Sequence, residues 1–230
     1  MISPQHKTLF VHIPKVAGQS IETVFLEDLG LSWDDRGQLL MRKKQKHEKG
    51  PYRLAHLRAR DYVALGYLDE VTFNDFFKFS FVRDPYARTL SLYHYLGYSR
   101  IISISCFLDK VVRKKVEEGH FFFMPQYDYL YDPSGKLLVD FVGKLEQISE
   151  DAQTVFNKAR LQGKQLPHIN KSEKGLKRGL AALVKNPSLF GCLRFGKLFS
   201  KRKTRELNDL DKECVYKLYS KDFESFNYEK

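Results

Sequence analysis

Two short segments carry residue types that could together hold phosphate. The first is FVHIPKVAGQSIETVF, residues 10 to 25, in which Lys15 precedes Gly18, Gln19 and Ser20. The apolar run before it reads as a strand, and Ile21, Val24, Phe25 and Leu29 after it recur as on one face of a helix, with Ser20 as a candidate cap. A turn of this composition, leading from a buried strand into a helix, points backbone N–H groups and the positive helix end at one spot, and Lys15 adds a full charge. It is not the G-x-x-x-x-G-K-S/T loop of nucleoside-triphosphate hydrolases, because the lysine comes before the glycine. An ordinary turn with a surface lysine is the competing reading. The second segment is FKFSFVRDPYARTLSLYHYL, residues 77 to 96, where Arg83 leaves an aromatic strand and Ser91 follows two helical turns later. A guanidinium fork and a nearby hydroxyl suit a second phosphate, while pairing with Asp84 is the alternative use of Arg83.

The surrounding chain supplies elements to position these residues. Leu9 to Ile13 and Phe76 to Val82 read as strands, the second aromatic and apolar nearly throughout, as a strand buried on both faces of a parallel sheet should be. Pro85 suits the first turn of the helix carrying Leu90, Leu92, Tyr93 and Leu96. Between the two segments, Leu31 to Gly50 reads as a long exposed connection, Tyr52 to Ala55 as a short strand, and Arg58 to Leu65 as a helix ending at Gly66. Later elements are a helix from Ile104 to about Glu118, a strand from Leu137 to Val142 and a helix from Ser149 with Ala152, Val155, Phe156 and Ala159 as its apolar stripe. A last helix over Leu207 to Tyr219 would place Leu207, Leu210, Cys214 and Leu218 on one side. Strands interleaved with helices argue an α/β fold in one domain over residues 1–230.

The 230 residues hold 39 Lys and Arg against 28 Asp and Glu, a net +11, and 43% are hydrophobic, enough for a core and too many for a disordered chain. The charge is clustered. Residues 171–205 carry 11 basic side chains against Glu173, and residues 42–60 carry eight against Glu48. Such windows draw in nucleic acid, anionic lipid or acidic glycan, unless they are simply solvated surface. No run approaches the roughly 20 apolar residues of a membrane span, and the polar start suggests neither anchor nor secretory signal. Three cysteines, Cys106, Cys192 and Cys214, with no CxxC pair point to a reducing cytosol and away from structural zinc.

Together the two turns resemble those of the sulfotransferases, specifically the carbohydrate (family 2) branch with its Golgi-type and uronyl 2-O-sulfotransferase members, here in a soluble, bacterial-style form. FVHIPKVAGQS is similar to that family's 5′-phosphosulfate loop and FVRDPYARTLSLY to its 3′-phosphate motif, with weaker similarity through YRLAHLRARDYVALG, PQYDYL, VDFVGKLEQI, LPHINKSEK and LYSKDFESFNY. The resemblance implies a P-loop-like three-layer fold, a central mostly parallel sheet flanked by helices. It also implies the donor 3′-phosphoadenosine 5′-phosphosulfate (PAPS), with no metal, and transfer of a sulfuryl group to a hydroxyl of a carbohydrate or glycolipid. By position, Lys15, Ala17, Gly18, Gln19 and Ser20 would surround the phosphosulfate, Arg83 and Ser91 would grip the 3′-phosphate, and Lys171, Ser172 and Lys174 would belong to a late loop closing over the nucleotide. Lys15 would stabilise the departing bridging oxygen.

A sugar hydroxyl needs a base. His56 is the candidate, since the uronyl 2-O-sulfotransferases look to carry a catalytic histidine at a similar distance before the glycine, and an ordinary imidazole pKa near 6.5 suits the task. Glu22 is an alternative base, His12 reads as core-facing or as supporting the site from behind, His94 as packing, and His120, beside Phe121 to Phe123, as lining an acceptor cleft. Val16 and Gln19 stand where many relatives carry Thr. Residues 175 to 205 form a basic insertion alternating Lys and Arg with leucine and phenylalanine, suited to a membrane surface, a polyanion or a lid. The expected partner is an acidic glycan or glycolipid, with no nucleic acid and peripheral membrane contact through the insertion. A nucleic-acid or polyanion-binding protein using residues 171–205 is the alternative from another class. The expected location is cytoplasmic.

Overall fold

The structure, a computed structural model, describes residues 1–167, 175–193 and 206–230. In chain order the elements are β1 (Ile2–Ser3), β2 (Thr8–Val11), α1 (Gly18–Asp28), α2 (Asp61–Ala64), α3 (Glu70–Asp75), β3 (Phe77–Val82), α4 (Pro85–Tyr95), α5 (Ile104–Phe107), α6 (Arg113–Glu117), α7 (Tyr127–Leu130), β4 (Phe141–Lys144), α8 (Ile148–Lys158), α9 (Gly175–Lys185) and α10 (Asp209–Ser225). They fall into two compact units.

The first unit, Met1–Arg83 with Gln126–Ile169, contains the sheet, ordered β1-β2-β3-β4. β1 is antiparallel to β2, and β2, β3 and β4 are parallel. This is the mostly parallel α/β arrangement expected. Leu9, Phe10 and Val11 of β2 and Phe79, Phe81 and Val82 of β3 are fully buried, because strands at the centre of such a sheet have no face turned to water. Phe10 and Phe79 stack across the two strands at 4.9 Å, and Phe25 of α1 lies 6.0 Å from Phe79. The buried hydroxyl of Ser80 donates to the Val11 carbonyl at 2.6 Å. α8 buries Ala152, Val155 and Phe156 and closes on β4 over Gly143, where a Cβ would stand 2.6 Å from the Phe81 ring.

The second unit, Asp84–Pro125 with Asn170–Lys230, is helical in its described residues. Asp84 caps α4 by accepting from the Ala87 N–H at 2.7 Å, with Pro85 at the first position. The helix expected from Ile104 to Glu118 forms as α5 and α6 joined by a π turn over Leu108–Val112. Its apolar face joins Leu92, Tyr93, Val215, Tyr219 and Phe223 in one core. Arg88 is buried there, its guanidinium donating to the Met124 carbonyl at 3.1 Å and lying over the Tyr219 ring.

Several sequence expectations are corrected. Tyr52 to Ala55 is not a strand: Arg53 makes an isolated bridge to Lys43, and Leu54–His56 is a 3-10 turn that buries Leu54. The helix expected from Arg58 is only the single turn α2. The fourth strand lies later than Leu137 to Val142, because Leu137 closes a turn against Tyr131 and parallel pairing with β3 starts at Phe141. Leu210 is 79% exposed, and the inward stripe of α10 is Asp211, Val215, Tyr219, Asp222 and Phe223. Cys106 and Cys192 are joined in a disulfide across 86 residues, a pairing that spacing alone does not reveal, and Cys214 is a free thiol.

Candidate active site

β2 ends at Val11, and residues 12–17 turn the chain into α1. Within this turn Lys15 and Ala17 adopt left-handed backbone conformations, φ 75° and 62°, which non-glycine residues seldom take. The tight curl starts α1 at Gly18, with Ala17 at the cap position, so Ser20 lies inside the helix and the expected serine cap is not formed. Among the described residues no side chain caps α1, and its first turn carries no acid. The positive end of the helix dipole therefore faces small residues, Ala17 and Gly18, beside the half-buried Lys15. Val16 is buried, Gln19 exposed and Ser20 half-buried.

Gly18 is where the loop meets the interior. A Cβ at that position would stand 2.0 Å from Nε2 of His12, whose opposite ring nitrogen is held by Glu22 at 2.6 Å. With the ring fixed from behind, the contact has no room to open. Gly18→Ala is expected to lower the Tm by about 6–12 °C, from overpacking at the upper end of about 1–3 kcal/mol and about 2–4 °C per kcal/mol in a chain of this size. Calorimetry checks this, and an unchanged Tm would contradict the packing.

His56 comes to the same place from the 3-10 turn Leu54–His56. It is 9% exposed, and its Nδ1–H donates to the carbonyl of His12 at 2.9 Å. A neutral imidazole that donates through Nδ1 carries its basic lone pair on Nε2. Burial, and next the charge of the neighbouring His12, hold its pKa well below the ordinary 6.5, so the ring is neutral at neutral pH. Glu22, the alternative base, is buried and turned inward on His12.

Arg83 follows β3 directly. β2 and β3 are parallel neighbours with Val11 opposite Ser80, so Lys15 follows four residues and Arg83 three residues after the last positions paired between the two strands. Adjacent strands lie about 4.8 Å apart, so both loops leave the carboxyl ends of neighbouring strands, where open α/β sheets bind their ligands. The backbone of Arg83 is clasped from both sides by the buried amide of Gln126: its N–H donates to Oε1 at 2.9 Å, and Nε2 donates to its carbonyl at 2.8 Å. Sequence reasoning did not single out Gln126. The signal it offered was an amide within the aromatic run PQYDYL.

Ser91 is half-buried in the second turn of α4, in the second unit, and His94 lies beside Tyr93. His120 stacks on Phe121 at 4.9 Å in that unit, and its Nδ1 accepts from the Phe122 N–H. Lys171, Ser172 and Lys174 fall outside the described residues. Part of the charge in residues 42–60 is committed locally, with Arg42 forked onto Glu48 and Arg58 onto Asp61.

Neither a curated protein nor a solved structure matches the chain. The family model described as "Sulfotransferase family" matches residues 1–229, which include both strand-end loops and His56. Sulfuryl transfer, for which this family generally uses PAPS, is therefore the chemistry to be set against these two loops. With essentially its whole length matched, the chain belongs to the sulfotransferase family.

Proposed function

We propose that this enzyme moves a sulfuryl group from PAPS to a hydroxyl of a carbohydrate or glycolipid, as a single domain over the matched residues, with His56 as general base. The observation that carries the reading is the meeting, at the end of β2, of a half-buried lysine, an uncapped helix start and a neutral buried histidine whose proton is fixed on Nδ1. The loop suits the donor: its small residues and positive helix end fit an anionic group, and Arg83, held by Gln126, offers a second cation at the neighbouring strand end. Ala17, Gly18, Gln19 and Ser20 are assigned to the 5′-phosphosulfate, Arg83 and Ser91 to the 3′-phosphate, and Lys171, Ser172 and Lys174 to nucleotide closure.

In the transfer the acceptor oxygen forms its bond to sulfur as the bond from sulfur to the bridging oxygen of the 5′-phosphate breaks, in line. Nε2 of His56 takes the hydroxyl proton, and Lys15 faces the departing oxygen, where negative charge develops. The test is incubation with labelled donor and a panel of glycan and glycolipid acceptors, read by mass spectrometry for an added sulfate. Transfer to a saccharide hydroxyl supports the reading; transfer to none of the panel, by protein that binds adenosine 3′,5′-bisphosphate, would refute the acceptor class.

Peripheral membrane contact belongs to the same proposal. α9 packs inward through Gly179 and Leu183, and Arg178 lies 4.3 Å over the Tyr95 ring. Its other side leaves Leu180 and Val184 49% and 79% exposed, and Phe190 just beyond is 57% exposed, all inside the +10 window of residues 171–205. Apolar side chains in a basic surround fit an anionic lipid surface, and the cytoplasmic leaflet provides one. The proposed location is accordingly the cytoplasm, on the argument of the lipid surface alone, since the Cys106–Cys192 disulfide removes the cysteine argument for a reducing compartment. Leu180→Glu combined with Val184→Glu is expected to weaken sedimentation with phosphatidylserine vesicles by at least about tenfold, each buried aliphatic side chain being worth about 1.5–3 kcal/mol. Equal sedimentation of both proteins would contradict it.

A further inference from the structure

We propose that His12 and Glu22 form a positioning pair for His56: Glu22 holds the His12 ring, and His12 in turn holds the carbonyl that fixes the proton of His56 and ties it to the loop carrying Lys15. This rests on the reading of His56 as the base. His12 stands where β2 ends and is 7% exposed, and Glu22, one turn into α1, is 3% exposed. The His12 Nδ1–H donates to Oε1 of Glu22 at 2.6 Å. The ring is packed on three further sides. Phe10 stacks on it at 5.3 Å and 11°, His56 meets it at 4.6 Å and 67°, and the Gly18 backbone stands against its Nε2.

One residue thus touches all three working parts. Its side chain reaches α1 through Glu22 and the phosphate loop through Gly18, and its carbonyl accepts the Nδ1–H of His56. Packing alone does not account for this choice, because an apolar pair of similar volume would fill the site without the desolvation that two buried polar groups incur. What such a pair cannot do is hold a backbone carbonyl in register with both the loop and the base. Without that carbonyl the two neutral forms of an imidazole differ little, and the lone pair is no longer confined to Nε2.

The test is long-range ¹H–¹⁵N correlation NMR of the imidazoles in wild type, Glu22→Gln and Glu22→Ala, each first shown to be folded by its Tm. The amide oxygen of Glu22→Gln can still accept from His12, so that variant and wild type should both show His56 protonated on Nδ1. Glu22→Ala should move the His56 nitrogens toward the two-tautomer average. Turnover per bisphosphate-binding site should fall by up to about 10²-fold in Glu22→Ala with the KM for donor within about threefold, as expected when a reacting group is misplaced. Unchanged His56 signals in folded Glu22→Ala would overturn the proposal. Should that variant not fold, Glu22→Asp, one methylene shorter, takes its place with the same expectation. The NMR readout requires neither acceptor nor turnover, so it holds or fails separately from the base role, which the rate of His56→Asn decides.

Discussion

Lys15→Ala is expected to reduce the rate of sulfuryl transfer by about 10²–10³-fold, the loss typical when one donor to developing charge is removed from an enclosed site. The residue is placed for this by its backbone. At φ 75°, flanked two residues later by Ala17 at φ 62°, it sits in a tight turn just before the positive end of α1. Alanine meets the same backbone cost in that conformation as lysine does, so the substitution removes the ammonium and leaves the turn. Single-turnover rates with labelled PAPS, at matched Tm, measure the effect. A rate within threefold of wild type would remove Lys15 from the chemistry.

His56→Asn should lower kcat by about 10²–10⁴-fold while affinity for adenosine 3′,5′-bisphosphate stays within about threefold. The asparagine amide can still donate to the His12 carbonyl, so the local hydrogen bond is kept and only the base is lost. The pH dependence has a defined sign. Because burial, and then His12, hold the pKa of His56 below 6.5 in the folded protein, its base form persists through neutral pH, and kcat should fall only under more acidic conditions. The same shift means that below pH 6.5 the unfolded chain binds more protons at this position than the folded one, so stability falls as pH drops from 6.5 toward the folded value. His56→Asn should remove that part of the acid destabilisation. Identical pH profiles of Tm in the two proteins would contradict the assignment.

The parts of the fold that were legible in the sequence are those specified locally. β3 declared itself because every residue from Phe79 to Val82 is buried, and α4 because Pro85 and the capping Asp84 open it. The elements that read poorly depend on distant partners. Tyr52 to Ala55 reads as a strand because nothing nearby shows that the chain turns there to let His56 donate to the carbonyl of His12, 44 residues earlier. β4 shifts because its register is set by β3, and Leu137 is claimed by Tyr131 instead. The start of α1 was misplaced at Ser20 because two non-glycine residues with positive φ cannot be read from side-chain type. At the site, Lys15 and Arg83 were visible as cations after buried strands, whereas Gln126 and the Glu22–His12 contact became visible only once the chain folded back on itself.

The loop carrying Lys15 and the turn carrying Arg83 are proposed to bind one bisphosphorylated adenosine between them. Isothermal titration of adenosine 3′,5′-bisphosphate into wild type, Lys15→Ala, Arg83→Ala and the double variant tests it directly. The account predicts one site per chain, at least about tenfold weaker binding in Arg83→Ala, for loss of a charge-assisted contact of about 1.5–3 kcal/mol, and weaker binding again in the double variant. No heat with wild type, or equal affinity in wild type and Arg83→Ala, would contradict it.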